Sequence, residues 1–291
     1  MRMALFLILS LLLVAAGASA SEVLVVQSQR SPMFEDALKG FRSASPAGTR
    51  TLVLSDYTDA ELARVVREER PRLVLALGDG ALTAVRRIRK TPVIALMALG
   101  IPLSPGSSDN LTGVDLFVRP EQYLSLFKRI RARRIGVIHD PAKTAWYLKL
   151  ARAAANQMGL ELVVREVSNP RQALAQLDSL KGAVDSLWVL PDTTAVTMET
   201  LEAYFLFSQS QSIPVISFSA AHLRLGALLA FDIDRVELGK QAGEMAQQLF
   251  RGAQPAELEV APPRKVTIRC NDAVARRLNY PAELIASWSR K

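Results

Sequence analysis

The stretch "LVLALGDGALTAV", residues 73–85, sets the reading of the chain. An unbroken apolar run ends in Gly78-Asp79-Gly80, and a helix-like segment follows. Such a run suits a strand covered on both faces of a parallel sheet. Two glycines at its carboxyl end begin a dinucleotide fingerprint, G-x-G-x-x-G, but Thr83 stands where the third glycine belongs. The run is also the third strand-like segment, whereas the fingerprint follows the first strand of its unit. Asp79 would place a negative charge beside a pyrophosphate. The turn therefore reads as the wall of a site for another ligand. Its glycines are expected to let the backbone come close to that ligand, and Asp79 to face an amine or a hydroxyl.

Outward from this stretch, strand-like and helix-like segments alternate. Strand-like runs occupy 22–27, 51–55, 72–78, 92–97, 110–116, 134–140, 161–167, 186–192, 214–219, 227–233 and 265–270. Between them, positions such as Leu238, Ala242, Met245 and Leu249 mark one face of a helix. The order also repeats. "VLVVQSQRSPMFEDALKGF" and "IGVIHDPAKTAWYLKLARA" share one plan, "LVLALGDGALTAV" matches "SLWVLPDTTAVTM", and "TPVIALMALGIPLS" matches "IPVISFSAAHLRLG". The expected fold is α/β, two doubly wound parallel-sheet lobes joined by a hinge of several crossovers. Residues 21–117 with 233–261 are assigned to lobe 1, and 118–232 with 262–291 to lobe 2. The chain is expected to cross back near Phe231 and to return near Pro262.

Residues 1–20, "MRMALFLILSLLLVAAGASA", have a basic start, a short apolar run and a small-x-small ending, the layout of a secretory signal peptide. The apolar run is shorter than the ~20 residues of a spanning helix. The mature protein is expected to be periplasmic and monomeric. The single cysteine, Cys270, excludes an internal disulfide, and one Cys with two His is too few for a typical zinc site. No cofactor or metal is expected. The formal charge of +8 invites a nucleic-acid reading. The densest basic runs, 86–90 and 128–134, instead follow helix-like segments, where cations complement the C-terminal dipole. No nucleic-acid partner is expected.

In open parallel sheets ligands bind beyond the carboxyl ends of the strands. The candidate loops are 27–34, 78–81 and 97–101 in the first lobe, and 139–144, 191–194 and 217–222 in the second. From them Ser28, Ser31, Phe34, Asp79, Gly80, Ala98, Asp140, Thr144, Asp192, Thr193, Ser217 and Phe218 are the candidate ligand-binding residues. Hydroxyls, helix N-termini and carboxylates on facing walls suit a zwitterion such as an amino acid. Phe34 and Phe218 are placed as apolar walls. Ser31, Asp140, Thr144 and Asp192 serve equally as helix caps. Trp146 shares a helical face with Leu150 and Ala153, which reads as core.

The chain resembles the ABC-transporter substrate-binding proteins of the type I periplasmic fold, a group that includes aromatic amino-acid binders. The resemblance rests on "FEDALKGFR", "NLTGVD" (110–115), "GVIHDPAKT" (136–144), "LPDTTAV" (190–196), "IPVISFS", "GALLAFDID", "LGKQAGEMAQQLFRG" and the closing Asn271-x-Ala273. It implies capture of a small polar metabolite between the lobes and delivery to an ABC permease. The family's usual Gly-Thr-x-Ala is Gly78-Asp79-Gly80-Ala81 here, its Asn-Pro is Asp140-Pro141, and its Asp-Pro pair in the loop after the fourth strand is replaced by "MALGIPLSPG". These departures fall in the binding loops, so the family's ligand does not transfer residue by residue. Two other readings stand beside this one. A sensor docking on a membrane signalling partner would use the same cleft. A two-lobed enzyme, such as an amino-acid racemase with paired thiols, finds only Cys270.

Overall fold

The structure, a computed structural model, describes residues 22–57, 59–101, 110–281, 283–284 and 288. The leader assigned to residues 1–20 lies outside them. Five strands form the first sheet: β1 (Val23–Gln27), β2 (Thr49–Val53), β3 (Leu73–Leu77), β4 (Val93–Leu96) and β5 (Leu111–Val114). Their order is β2-β1-β3-β4-β5, parallel throughout. The second sheet holds β6 (Arg134–His139), β7 (Glu161–Glu166), β8 (Ser186–Val189), β9 (Val215–Ser217), β10 (Leu229–Ile233) and β11 (Val266–Cys270). Its order is β11-β10-β9-β8-β6-β7, with only β11 antiparallel. Without β11, the second order repeats the first strand for strand. Eleven apolar runs became eleven strands. The central ones, such as β1 and β3, are buried at every position, while the edge strand β7 is half exposed.

The helices are α1 (Pro32–Ala44), α2 (Asp59–Glu69), α3 (Asp79–Val85), α4 (Pro120–Arg129), α5 (Pro141–Met158), α6 (Pro170–Asp178), α7 (Met198–Gln211), α8 (Arg235–Phe250) and α9 (Asp272–Arg277). In each lobe helices cover both sheet faces, as the doubly wound plan requires. α1 and α8 lie on one face of the first sheet, α2 and α3 on the other. α4, α5 and α9 lie on one face of the second sheet, α6 and α7 on the other.

Three crossings join the sheets. The first runs from β5 through Asp115–Val118 to α4. The second follows Ile233, so Phe231 is still within the second sheet, in its core. The helix it leads into, α8, packs along α1 of the first lobe. The third passes from Ala261 through Pro262-Pro263 to β11. Hydrogen bonds tie the crossings together. Asp115 N donates to Ala261 O at 2.9 Å, and Asp234 N donates to Lys265 O at 3.1 Å. Lys265 Nζ also pairs with Asp234 at 2.7 Å, which holds that carboxylate below its ordinary pKa.

The reading of α5 needs correction. Leu150 is 52% exposed and Ala153 is exposed, while Trp146 is half-buried. The buried stripe is Thr144, Tyr147, Leu148, Ala151, Ala154 and Ala155. The core face is thus turned from the one that Trp146, Leu150 and Ala153 share, and it mixes large side chains (Tyr147, Leu148) with alanines.

Candidate functional site

The loops after β1, β3 and β4 gather at one end of the first sheet. Ser28 organises them. Its hydroxyl donates to Leu77 O at 3.0 Å and accepts from Ala81 N at 2.8 Å, closing the Gly-Asp-Gly turn onto the end of β1. The two glycines serve this closure. Gly78 has φ +90°, and a Cβ there would stand 2.6 Å from Ser28 Oγ and 2.8 Å from Phe34 Cζ. A Cβ on Gly80 would stand 3.1 Å from the same oxygen. Sequence reading gave these glycines to a ligand; in the structure the space they leave is taken up by Ser28 and Phe34. Phe34 is 7% exposed and belongs to the core, as does the fully buried Ala98, so neither is a free wall. Ser31 caps α1 by accepting from Met33 N at 3.3 Å.

Asp79 is exposed, yet its carboxylate is engaged within the lobe. It accepts from Leu99 N at 3.1 Å and Gly100 N at 2.8 Å. This fixes the loop after β4, whose Met97 holds a left-handed φ of +55°. Leu99 on that loop packs on the aromatic cluster of the second lobe that includes Phe117 and Trp146. Sequence reading passed over Leu99. The signal for it was an apolar residue between a strained turn and a glycine.

In the second lobe one buried carboxylate holds the loops after β6 and β8 together. Asp192 is 2% exposed. Its Oδ2 accepts from Asp140 N at 2.8 Å and Thr144 Oγ1 at 2.9 Å. Its Oδ1 accepts from Thr194 N and Ala195 N, both at 2.9 Å. Four donors fill the acceptor positions of a carboxylate. Asp192, which sequence reading gave to the ligand, has its acceptors engaged by its own loops in this structure. Asp140 is held in return: it caps α5 through Ala142 N at 2.9 Å and accepts from Thr194 Oγ1 at 2.7 Å.

Thr144 is fully buried beneath this network and touches His139 Nδ1 at 3.0 Å. Its single proton goes to Asp192, so His139 Nδ1 must carry the proton of the contact between ring and hydroxyl. Nε2 is then the acceptor nitrogen. Burial lowers the His139 pKa below the ordinary imidazole value, against the pull of Asp192 and Glu166. Thr144 is likewise scaffold rather than an open contact.

After β9, Ser217 Oγ lies 2.6 Å from His222 Nδ1, and Phe218 stands edge-on to His222 with centroids 5.0 Å apart. Ser217 is fully buried, and burial lowers the His222 pKa. A nucleophilic serine needs access to substrate and a base ready to take its proton. Ser217 has no such access. Cys270 is half-buried, and burial pushes its thiol up to about 12, which disfavours the thiolate. Among the described residues no group of His, Cys, Asp and Glu could hold a metal ion.

Of the twelve candidates, the Thr193 hydroxyl and the Gly80 amide are left without a partner among the described residues. Phe218 is half-buried, with ring surface still open. Trp146, at the start of α5, packs edge-on against Phe117 with centroids 4.9 Å apart, and its Nε1 has no acceptor among the described residues.

Residues 54–285 match the family model of the ABC transporter substrate binding protein. A tyrosine-binding protein of Clostridioides difficile (strain R20291) is 22% identical over 233 residues, 76% of this chain and 67% of that protein. Among solved structures, the ligand-free, open form of a substrate binding protein with adhesive properties from Clostridium difficile superposes with a TM-score of 0.71 at 19% identity. That match covers 89% of this chain and 95% of that one. An ABC domain from Streptococcus pneumonia in complex with L-Trp gives a TM-score of 0.64, also at 19% identity, over 92% and 98% of the two chains.

Proposed function

This chain belongs to the ABC transporter substrate-binding protein family, and we propose that it captures an amino acid or a related aromatic metabolite between its lobes and delivers it to a membrane permease. The observation that carries this reading is the chemistry left over at the strand ends. Asp79, Asp140 and Asp192 hold their own loops in place. The Gly80 amide and the Thr193 hydroxyl remain as donors at the strand ends, and Phe218 and Trp146 keep part of their ring surface open. Hydrogen-bond donors and aromatic faces around a cleft select a small, partly aromatic anion or zwitterion, and none of them does chemistry on it. Relatives that bind tyrosine, L-Trp and p-hydroxybenzoic acid support the ligand class.

In this reading residues 21–117 with 233–261 close against 118–232 with 262–291, turning about the three crossings. Residues 1–20 direct export to the periplasm and are removed there. The protein acts as a monomer. A sensing role would use the same cleft and differ only in the membrane partner.

The test is a thermal-shift screen of the mature protein with L-Tyr, L-Trp, L-Phe and 4-hydroxybenzoate. Mass spectrometry of any co-purified compound and product analysis run alongside it. At least one compound should raise the melting temperature by several degrees and emerge chemically unchanged. Thr193→Val should weaken that binding while leaving the ligand-free melting temperature in place. A folded protein that none of these compounds stabilises and that carries no ligand, or one that converts a compound, would overturn the reading.

A further inference from the structure

The described helices on one face of the first sheet leave a groove between them. The groove, of roughly 1360 Å³, runs between α2 and α3, from Leu54 at the carboxyl edge of the sheet to Thr91 at its amino edge. Its floor is apolar, built by Leu62, Val66 and Ile88. Its rim is mainly cationic, with Arg67 and Arg70 on one side, Arg87, Arg89 and Lys90 on the other, and the single carboxylate Asp79 at one end, held by its own loop. Arg67, Arg70, Arg87 and Lys90 are exposed, and none of these four forms an ion pair among the described residues.

The second lobe shows what belongs in such a place. α7 follows β8 as α3 follows β3, and the two helices cover equivalent faces of equivalent sheets. α7 has 14 residues and packs along α6, closing its face. α3 has 7 residues. The difference is about two helical turns, ~10 Å of helix at 1.5 Å per residue. Among the described residues the first lobe has no counterpart to the second half of α7, and the groove is lined by the residues that follow α3, Arg87 to Thr91.

We propose that the groove docks a short amphipathic helix of a protein partner, with apolar side chains on the floor and carboxylates against the rim cations. A helix presents apolar anchors at i, i+3, i+4 and i+7, the spacing a trough one helix long accepts. The rim fixes the sign of the partner, because the cations around one apolar trough repel a basic or neutral segment and steer an acidic one. A bilayer would need its cations spread over a broad surface, whereas here they flank a concavity. The end of the groove includes Asp79 and Gly80, so the docked helix would rest against the loop that faces the ligand.

The test uses fluorescence anisotropy with the mature chain and a labelled synthetic peptide of about four helical turns. The peptide carries Leu at i, i+3, i+4 and i+7 and Glu elsewhere. A second peptide replaces Glu by Lys, and vesicles of phosphatidylglycerol provide a third arm. The acidic peptide should bind, more weakly as salt rises, and the Lys peptide should not. The double variant Arg67→Glu/Arg87→Glu should lose the acidic peptide by about tenfold or more and gain the Lys peptide. Ala84→Trp should fill the trough and block the acidic peptide. Arg67 and Arg87 are solvated surface residues, so the charge reversal leaves the fold intact. Failure of the acidic peptide to bind, binding indifferent to both changes, or a charge-dependent association with vesicles alone would overturn the proposal. These outcomes are independent of the thermal-shift screen, which reports on the cleft.

Discussion

Asp192 shows how one buried carboxylate can hold two loops together. The tripeptide Leu190-Pro191-Asp192 marked a polar group at a strand end, and that much was legible in the sequence. Its saturation by four donors from two loops was not, because Asp140 lies 52 residues away. Asp192→Ala should cost about 3–5 kcal/mol, since it strands buried N–H groups and a hydroxyl. Asp192→Asn should cost less, because the amide oxygen still accepts. Urea unfolding of both variants distinguishes them from Thr193→Val, which should leave stability unchanged. A second residue-scale prediction concerns Asp115, at the first crossing. It is 7% exposed, and burial pushes its carboxyl up to about 7, although the Phe117 N–H at 2.9 Å favours the charged form. Between the unfolded value near 4 and this folded value, the native chain keeps a proton that the unfolded chain has released. Stability therefore falls as pH rises across that window and levels off above it. Asp115→Asn should remove this slope, making the variant more stable than the parent at pH 8 by on the order of 2–4 kcal/mol and equal to it at pH 4. Parallel pH–stability profiles for the two proteins would reject the assignment.

At the scale of elements, the strands were legible because a parallel sheet buried on both faces demands continuous apolar runs. Helix faces were harder. In α5 the aromatic Trp146 suggested the core stripe, but the stripe runs through Tyr147, Leu148, Ala151, Ala154 and Ala155 beside it. At the junction of α1 and α8, a Cβ on Gly40 would overlap the Val236 carbonyl, and one on Gly239 would overlap the Ala37 carbonyl. The two backbones touch, and this contact fastens a helix entered from the second sheet onto the first lobe. Gly239→Leu should destabilise the protein by more than about 3 kcal/mol, since no rotamer can clear a backbone atom. Gly48→Ala, with open space around it, serves as the neutral control in the same denaturation series.

For the whole molecule, the repeated plan in the sequence predicted two lobes, and both sheets carry the same strand order. Three hydrogen-bonded crossings leave the lobes few routes by which to move relative to each other, which favours one closing motion. Small-angle scattering should accordingly show a smaller radius of gyration when the stabilising amino acid is added. An unchanged profile at saturating ligand would rule closure out. The sequence by itself determined the α/β class, the eleven strands, the repeat and the loops that gather at the strand ends, because each depends on local periodicity and on residues near in the chain. Only the tertiary structure decided what the side chains in those loops do. Ser28 meets Ala81, Asp79 meets Leu99 and Gly100, and Asp192 meets Asp140 and Thr144 across separations that no local pattern encodes. A buried carboxylate or hydroxyl must be satisfied by whichever donors the fold brings within reach, so its role is fixed only when the loops come together.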